Sequence, residues 1–170
     1  MKQFVMTEKE LLIGEIKREA SNTRKMLERL QDQHLSWKPH PKSYSTVELA
    51  QHVSNIPFWI TKILKSDGLD LAIPLPRVEL VNTTKALLDF FDSKLAESLQ
   101  TLEQTSADEL EKVWPLTKGE ATLIKAPRRI VMRYFALNHI VHHRGQLSVY
   151  LRMQDIPVPG MYGPSADERA

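Results

Sequence analysis

The chain contains no cysteine. Disulfides, thiolate nucleophiles, zinc ribbons and iron–sulfur ligation are therefore excluded, and any metal has to sit on nitrogen and oxygen. Net charge is nearly absent too. The 23 basic and 21 acidic residues leave +2, spread along the chain, so no cationic stripe of the kind that holds nucleic acid exists. No run approaches 18 apolar residues, and the start, Met1-Lys2-Gln3-Phe4 leading into Thr7-Glu8-Lys9-Glu10, lacks the form of a signal peptide. The expectation is a cytoplasmic protein without a nucleic-acid or membrane partner. Repeats and low-complexity tracts are missing as well.

What is present is a chain of 170 residues with 42% apolar content, which suits one domain over residues 1–170 with a real core. Leu12, Ile16, Thr23, Leu27 and Leu30, at three- and four-residue steps, predict a long amphipathic helix over about Thr7 to Gln31. A loop follows to Tyr44, holding His34, Trp37 and His40, with Pro39 and Pro41 forbidding helix around His40. Ser45-Thr46-Val47-Glu48 is a capping box, and the second helix it opens carries Leu49, His52, Ile56, Trp59, Ile60 and Ile63 on one stripe, with Pro57 as a kink. Ser66-Asp67-Gly68 stops that helix, and Leu69 to Leu80, with Pro74 and Pro76, reads as a crossover loop. Thr84, Leu88, Phe91, Leu95, Leu99 and Leu102 mark a third helix over about Thr83 to Thr105, followed by one further turn at Asp108-Glu109-Leu110-Glu111. Trp114 to Lys125 is an irregular stretch or a short hairpin turning at Gly119. Pro127, at a first helical position, opens a fourth helix to about Gln154, and residues 155–170 form a proline- and glycine-rich tail, ordered at least in part. Four long helices with long connections predict an all-α four-helix bundle, a fold that builds metal sites from inward-facing side chains of neighbouring helices.

Three of the six histidines, His139, His142 and His143, fall within five residues of the fourth helix. The four-residue step from His139 to His143 turns an α-helix by about 40°, so both imidazoles leave one face a turn apart. That face also carries Met132, Phe135, Ala136, Gln146, Leu147, Tyr150 and Met153. A single histidine on an apolar stripe is more often a core residue with satisfied nitrogens. Two at this spacing desolvate polar nitrogens twice unless they share a ligand. Two imidazoles are nevertheless too few for a tight divalent site, which takes three protein ligands and keeps a position open when it is catalytic. His52, on the stripe of the second helix, is the evident third, whereas His34 and His40 read as loop histidines. The fourth helix has a second apolar face, too. Ile130, Leu137 and Val141 lie within about 40° of one another and roughly opposite His139. They serve either a homodimer interface or burial beneath the Leu69–Leu80 or Trp114–Lys125 segments, the dimer being preferred.

Leu35-Ser36-Trp37-Lys38-Pro39, Glu48-Leu49-Ala50-Gln51-His52, His139-Ile140-Val141-His142-His143-Arg144-Gly145-Gln146-Leu147 and Val158-Pro159-Gly160-Met161-Tyr162-Gly163-Pro164 are each weak as motifs. In this order and spacing the chain resembles, over nearly its whole length, the DinB-like (YfiT-like) superfamily of metal-binding four-helix bundles. The resemblance implies a metal triad carried here by His52, His139 and His143. It also implies one divalent transition metal per chain, with nickel and zinc first among the ions, and a homodimer. Relatives in that superfamily include thiol-dependent transferases and proteins described as hydrolases.

Three neutral imidazoles around an ion with an open position can acidify bound water, hold a thiol as thiolate or polarise a substrate oxygen. Hydrolysis and thiol transfer both stay open, and no catalytic residue is assigned. Asn55, Gln146 and Tyr150 lie where they could orient substrate or water, or simply pack. His142 could act as acid or base at the pocket, or donate to a carbonyl. The preferred expectation is a metal-dependent enzyme, a hydrolase or thiol S-transferase, acting on a small molecule, with a low-molecular-weight thiol as a candidate co-substrate. The alternative is a non-catalytic metal-binding or stress-response protein whose ion ties two helices together.

Overall fold

The computed structural model describes residues 6–76 and 78–168. Met1 to Val5, on which the reading of the chain's start rests, lie outside them, as do Arg77, Arg169 and Ala170 at the far end of the tail. Among the described residues, no helix is long and apolar enough to cross a membrane.

The helices form where the apolar periodicity puts them. Helix α1 (Glu8–Leu27) buries Leu12, Ile16, Thr23 and Leu27. Helix α2 (Thr46–Asn55) starts at the expected capping box, in which the Glu48 N–H donates to Ser45 Oγ at 3.3 Å and Glu48 Oε2 accepts the Ser45 N–H at 2.6 Å. Pro57 has no N–H to donate, so the helix breaks and resumes as α3 (Phe58–Lys65). Helices α4 (Thr84–Gln104), α5 (Ala107–Glu111), α6 (Arg128–Met132) and α7 (Asn138–Met153) complete the helical elements. Helix α1 packs against α4 and α7; α2 packs against the same two, and α3 against α4 and α6. The α1 and α2–α3 rods therefore sit across from one another, as do α4 and α6–α7. The segments joining each opposed pair, 28–45 and 105–127, have to run across the assembly, which is why they are long. Leu12, Leu49, Ile56, Leu87, Phe91, Leu102, Met132 and Leu147 meet in the middle, each contributing roughly 1.5–3 kcal/mol by leaving water.

An all-α chain is not what forms. Leu69–Asp70 (β1), Val113–Lys118 (β2) and Ala121–Pro127 (β3) make a three-stranded sheet in the order β1-β2-β3, β1 parallel to β2 and β2 antiparallel to β3. The hairpin turns at Gly119, whose φ of +59° favours glycine. Asp70 Oδ1 accepts the N–H groups of Ala72 and Gly119, which ties the first strand to that turn. Trp114 in β2 is fully buried, and its indole N–H donates to Ser66 Oγ at 3.2 Å. Helix α6 starts directly out of β3, at Arg128 rather than Pro127. The buried Arg128 guanidinium donates to the carbonyls of Ile63 and Leu64 at 2.7 and 2.6 Å, satisfying orphan acceptors at the negative end of α3.

Between α6 and α7 the backbone takes one wide turn, a π-helical segment over Arg133–Leu137. The extra residue it accommodates offsets the face that follows by roughly 100° relative to a straight helix. This resolves the second apolar face of the sequence reading. Leu137 is not outward-facing; it is 5% exposed and lies in the core with Ile140, while Val141 stays partly exposed. The core stripe of α7 is accordingly Ile140, Arg144, Leu147 and Leu151. His139 and His143 lie on its flank, and Gln146 and Met153 are exposed.

Candidate metal centre

His52 leaves α2 on the flank of the Leu49–Val53–Ile56 core stripe, not at its centre, and is half-buried. His139 and His143 leave α7 on the facing flank, and α2 packs on α7. The Nε2 atoms of His52 and His139 lie 3.0 Å apart. One donor nitrogen from each of the three histidines can be chosen so that all lie within 4.8 Å of one another. The rings are mutually tilted, with centroids 4.9 Å (52–139), 4.4 Å (52–143) and 4.6 Å (139–143) apart. Nitrogens sharing one ion at about 2.0–2.1 Å lie roughly 2.9–3.4 Å from each other; the His52–His139 pair has that separation, and with the third nitrogen within 4.8 Å the three form a group that could hold a metal ion.

Electrostatics suit the same role. Burial, and then the charges His143 and His139 would carry, push His52 down to about 4. Burial is also the leading reason that His139 and His143 fall below the ordinary imidazole range. All three are neutral at pH 7, the form a metal needs. His143 Nδ1 lies 2.7 Å from Gln146 Oε1, so the amide oxygen accepts its proton and leaves Nε2 free. His139 Nδ1 is buried without a well-formed hydrogen bond, although the Phe135 carbonyl one turn back is near enough to favour its proton.

The other expected residues are distributed around this group. His142 is exposed, its ring 4.8 Å from that of His143. The Tyr150 hydroxyl donates to the Tyr44 carbonyl at 3.1 Å, and its ring packs edge-on against Trp37. Tyr44 in turn lies 6.2 Å from the His52 ring. Asn55, one turn past His52 and half-buried, makes no hydrogen bond to the histidines among the described residues. The structure does not bring His34 or His40 to the cluster. His34 belongs to the turn Asp32–His34, and His40 Nδ1 accepts the Lys42 N–H in its own loop. On the far side, Phe135 lies 6.0 Å from His139 and packs edge-on against Trp59.

Sequence reasoning missed the polar side chains beside the triad. Gln51, next to His52, is buried; its amide donates to the Glu79 carbonyl and accepts the Val81 N–H, both at 2.8 Å, pinning the crossover loop to α2. Arg144, next to His143, is 2% exposed and pairs with the equally buried Glu19 of α1 at 2.7 Å. Their partners lie 18 to 125 residues away, so no local pattern signals them. The only hint is that both sit inside the motifs quoted above.

The DinB family model matches residues 1–170, so the chain belongs to the DinB family. It is similar to a DinB-like protein of Bacillus cereus ATCC 10987, with 26% identity and a TM-score of 0.64, covering 86% of this chain and 92% of that one. The DinB-like protein YjoA of Bacillus subtilis superposes with a TM-score of 0.68 over 94% of this chain and 99% of its own, at 19% identity, a likeness of fold. In sequence, the uncharacterised B. subtilis (strain 168) protein YjoA is 25% identical over 130 residues, 76% of this chain and 80% of its own. The uncharacterised YrdA of the same strain is 47% identical over 36 residues, spanning 21% of this chain and 22% of YrdA.

Proposed function

We propose that His52, His139 and His143 hold one divalent transition metal ion, nickel or zinc, at the edge of a four-helix bundle with long crossover connections. On this reading the protein is a metal-dependent enzyme, a hydrolase or thiol-dependent transferase, acting on a small molecule. The observation that carries the reading is the convergence of three neutral, half-buried imidazoles from two helices, with no fourth protein ligand in the group among the described residues. An ion with three protein ligands supplies Lewis acidity to a substrate oxygen, a water or a thiol that reaches it.

The chain's own residues supply the rest. Gln146 fixes the His143 tautomer and ring orientation through Nδ1. The break at Pro57 and the π turn at Arg133–Leu137 each lie within a few residues of a ligand histidine, His52 before the one and His139 after the other. Tyr44 and Tyr150 on one side, and Trp59 and Phe135 on the other, give the histidines aromatic walls. Exposed His142 stands beside His143 as a candidate to move a proton at the rim.

Cobalt substitution tests both ligation and access. Protein reconstituted with cobalt should show a visible spectrum that His52→Ala, His139→Ala and His143→Ala each abolish. That spectrum should change on adding azide or a small thiol, with the helical far-ultraviolet signal constant. A spectrum indifferent to saturating azide and thiol would instead support a structural ion.

A further inference from the structure

The structure assigns a second task to the C-terminal segment, and it rests on the reading of the three histidines as ligands. We propose that residues 156–168 form a clasp that fixes the roll of α7 at His143, with the Tyr162 hydroxyl as its positioning group.

Arg144 follows His143 directly, and its guanidinium bonds to α1 and to the C-terminal segment. One guanidinium nitrogen donates to the Glu19 carbonyl at 3.0 Å and Thr23 Oγ1 at 3.1 Å. The other donates to Glu19 Oε2 at 2.7 Å and the Tyr162 oxygen at 2.6 Å. Tyr162 closes the triangle by donating its own proton to Glu19 Oε2 at 2.6 Å. The tyrosine is 65% exposed. Apolar burial is therefore not what holds it there; the hydroxyl and the ring's contact with the guanidinium, 5.5 Å from its centroid, are.

The loop bearing Tyr162 is closed by its own carboxylates. Asp167 accepts the Val158 N–H at 2.8 Å and pairs with Arg152 of α7. Glu168 accepts the N–H groups of Gly160 at 2.8 Å and Ser165 at 3.3 Å. Gly160 is required, because a Cβ there would come within 2.3 Å of Glu168 Oε2 and 2.5 Å of the Gly163 carbonyl oxygen.

The consequence for the histidines is geometric. Side-chain tips ride about 5–6 Å from a helix axis, so a roll of roughly 10° moves an imidazole by about 1 Å. A ligand constellation tolerates about 0.5 Å. A buried, fully bonded Arg–Glu pair adds little net stability but specifies one arrangement, and here it specifies the arrangement of α7 against α1.

The test uses the full-length protein with Tyr162→Phe and Gly160→Ala, and Trp114→Phe as a control that loosens the distant sheet. Histidine side-chain nitrogen NMR spectra of the metal-free protein read the triad directly, and chelator competition reads cobalt affinity. Both clasp variants should shift the His143 and His52 resonances and weaken cobalt binding about 10-fold, the lower end of what outer-shell losses cost, while Trp114→Phe leaves both unchanged. Unshifted histidine resonances in Tyr162→Phe, or equal shifts in Trp114→Phe, would overturn the clasp. If the unsubstituted protein binds no cobalt, the metal reading fails and the resonances alone still decide this one.

Discussion

His143 and Gln146 are joined on α7 by a 2.7 Å contact between Nδ1 and the amide oxygen, which leaves Nε2 as the free nitrogen of a ring whose centroid lies 4.4 Å from that of His52. Gln146 is exposed, so it contributes little to folding. Gln146→Leu should therefore weaken metal binding by about 10- to 100-fold with an unchanged melting temperature. Gln146→Glu, which keeps an acceptor and adds charge, should bind at least as tightly as the unsubstituted protein. Chelator competition measures both, and equal affinity for Leu and Gln at this position would detach Gln146 from the site.

The depressed histidines make the metal-free protein acid-sensitive. His52 is held to about 4 against an unfolded value of 6.5, so the unfolded chain binds the proton first as pH falls. The stability this group contributes is complete above about 6.5, declines as pH drops and is gone below about 4. The loss is on the order of 3 kcal/mol. Thermal unfolding of metal-free protein between pH 7 and pH 4 should show this decline, and His52→Phe should flatten it. A slope identical in the two proteins would contradict the assignment. For the same reason metal affinity should persist below pH 6.5 before protons displace the ion.

Arg144 and Glu19 give a stability prediction independent of metal. Arg144→Leu strands the Glu19 carboxylate, whose hydrogen bonds to Tyr162 and Arg144 outweigh its burial and hold it below the ordinary carboxylate range. The expected cost is roughly 3–5 kcal/mol in urea denaturation. The double replacement Glu19→Leu with Arg144→Leu should recover most of that loss, because no buried charge is left unpaired. A double variant as unstable as the single one would show that packing, not charge, dominates there.

The homodimer remains a proposal, and its surface has moved. Leu137 belongs to the core, so the outward residues of α7 available to a second copy are Val141, Val149 and Met153, with exposures of 36%, 55% and 56%. We predict that light scattering gives twice the 19.6 kDa chain mass. Val141→Glu should return the mass to that of one chain with helicity intact, whereas Leu137→Glu should unfold the protein. A single-chain mass for the unsubstituted protein at micromolar concentration would end the dimer reading.

Much of this was legible because helices advertise themselves locally. Leu12, Ile16, Leu49, Ile56, Phe91 and Leu102 repeat every three or four residues, and Ser45 with Glu48 marks a start. The one-turn step from His139 to His143, with His52 on the neighbouring rod, made the triad readable for the same reason. The hairpin turning at Gly119 was one of two readings of Trp114–Lys125, and it is the one that forms. The third strand was not readable, because β1 is two residues long and its partner β2 lies far along the chain. The π turn was misread in a revealing way, since one extra residue in a helix imitates a second apolar face. Arg144, Glu19 and Gln51 stayed hidden because a buried polar side chain is explained only by partners that folding brings to it.

The most direct test is the metal content of untagged protein, measured by native mass spectrometry and elemental analysis on the same samples. The account predicts one nickel or zinc ion per chain in the unsubstituted protein, in His34→Ala and in His40→Ala. It predicts none in folded His52→Ala, His139→Ala or His143→Ala. Full occupancy in any of those three variants, or none in the unsubstituted protein after incubation with nickel and zinc, would contradict it.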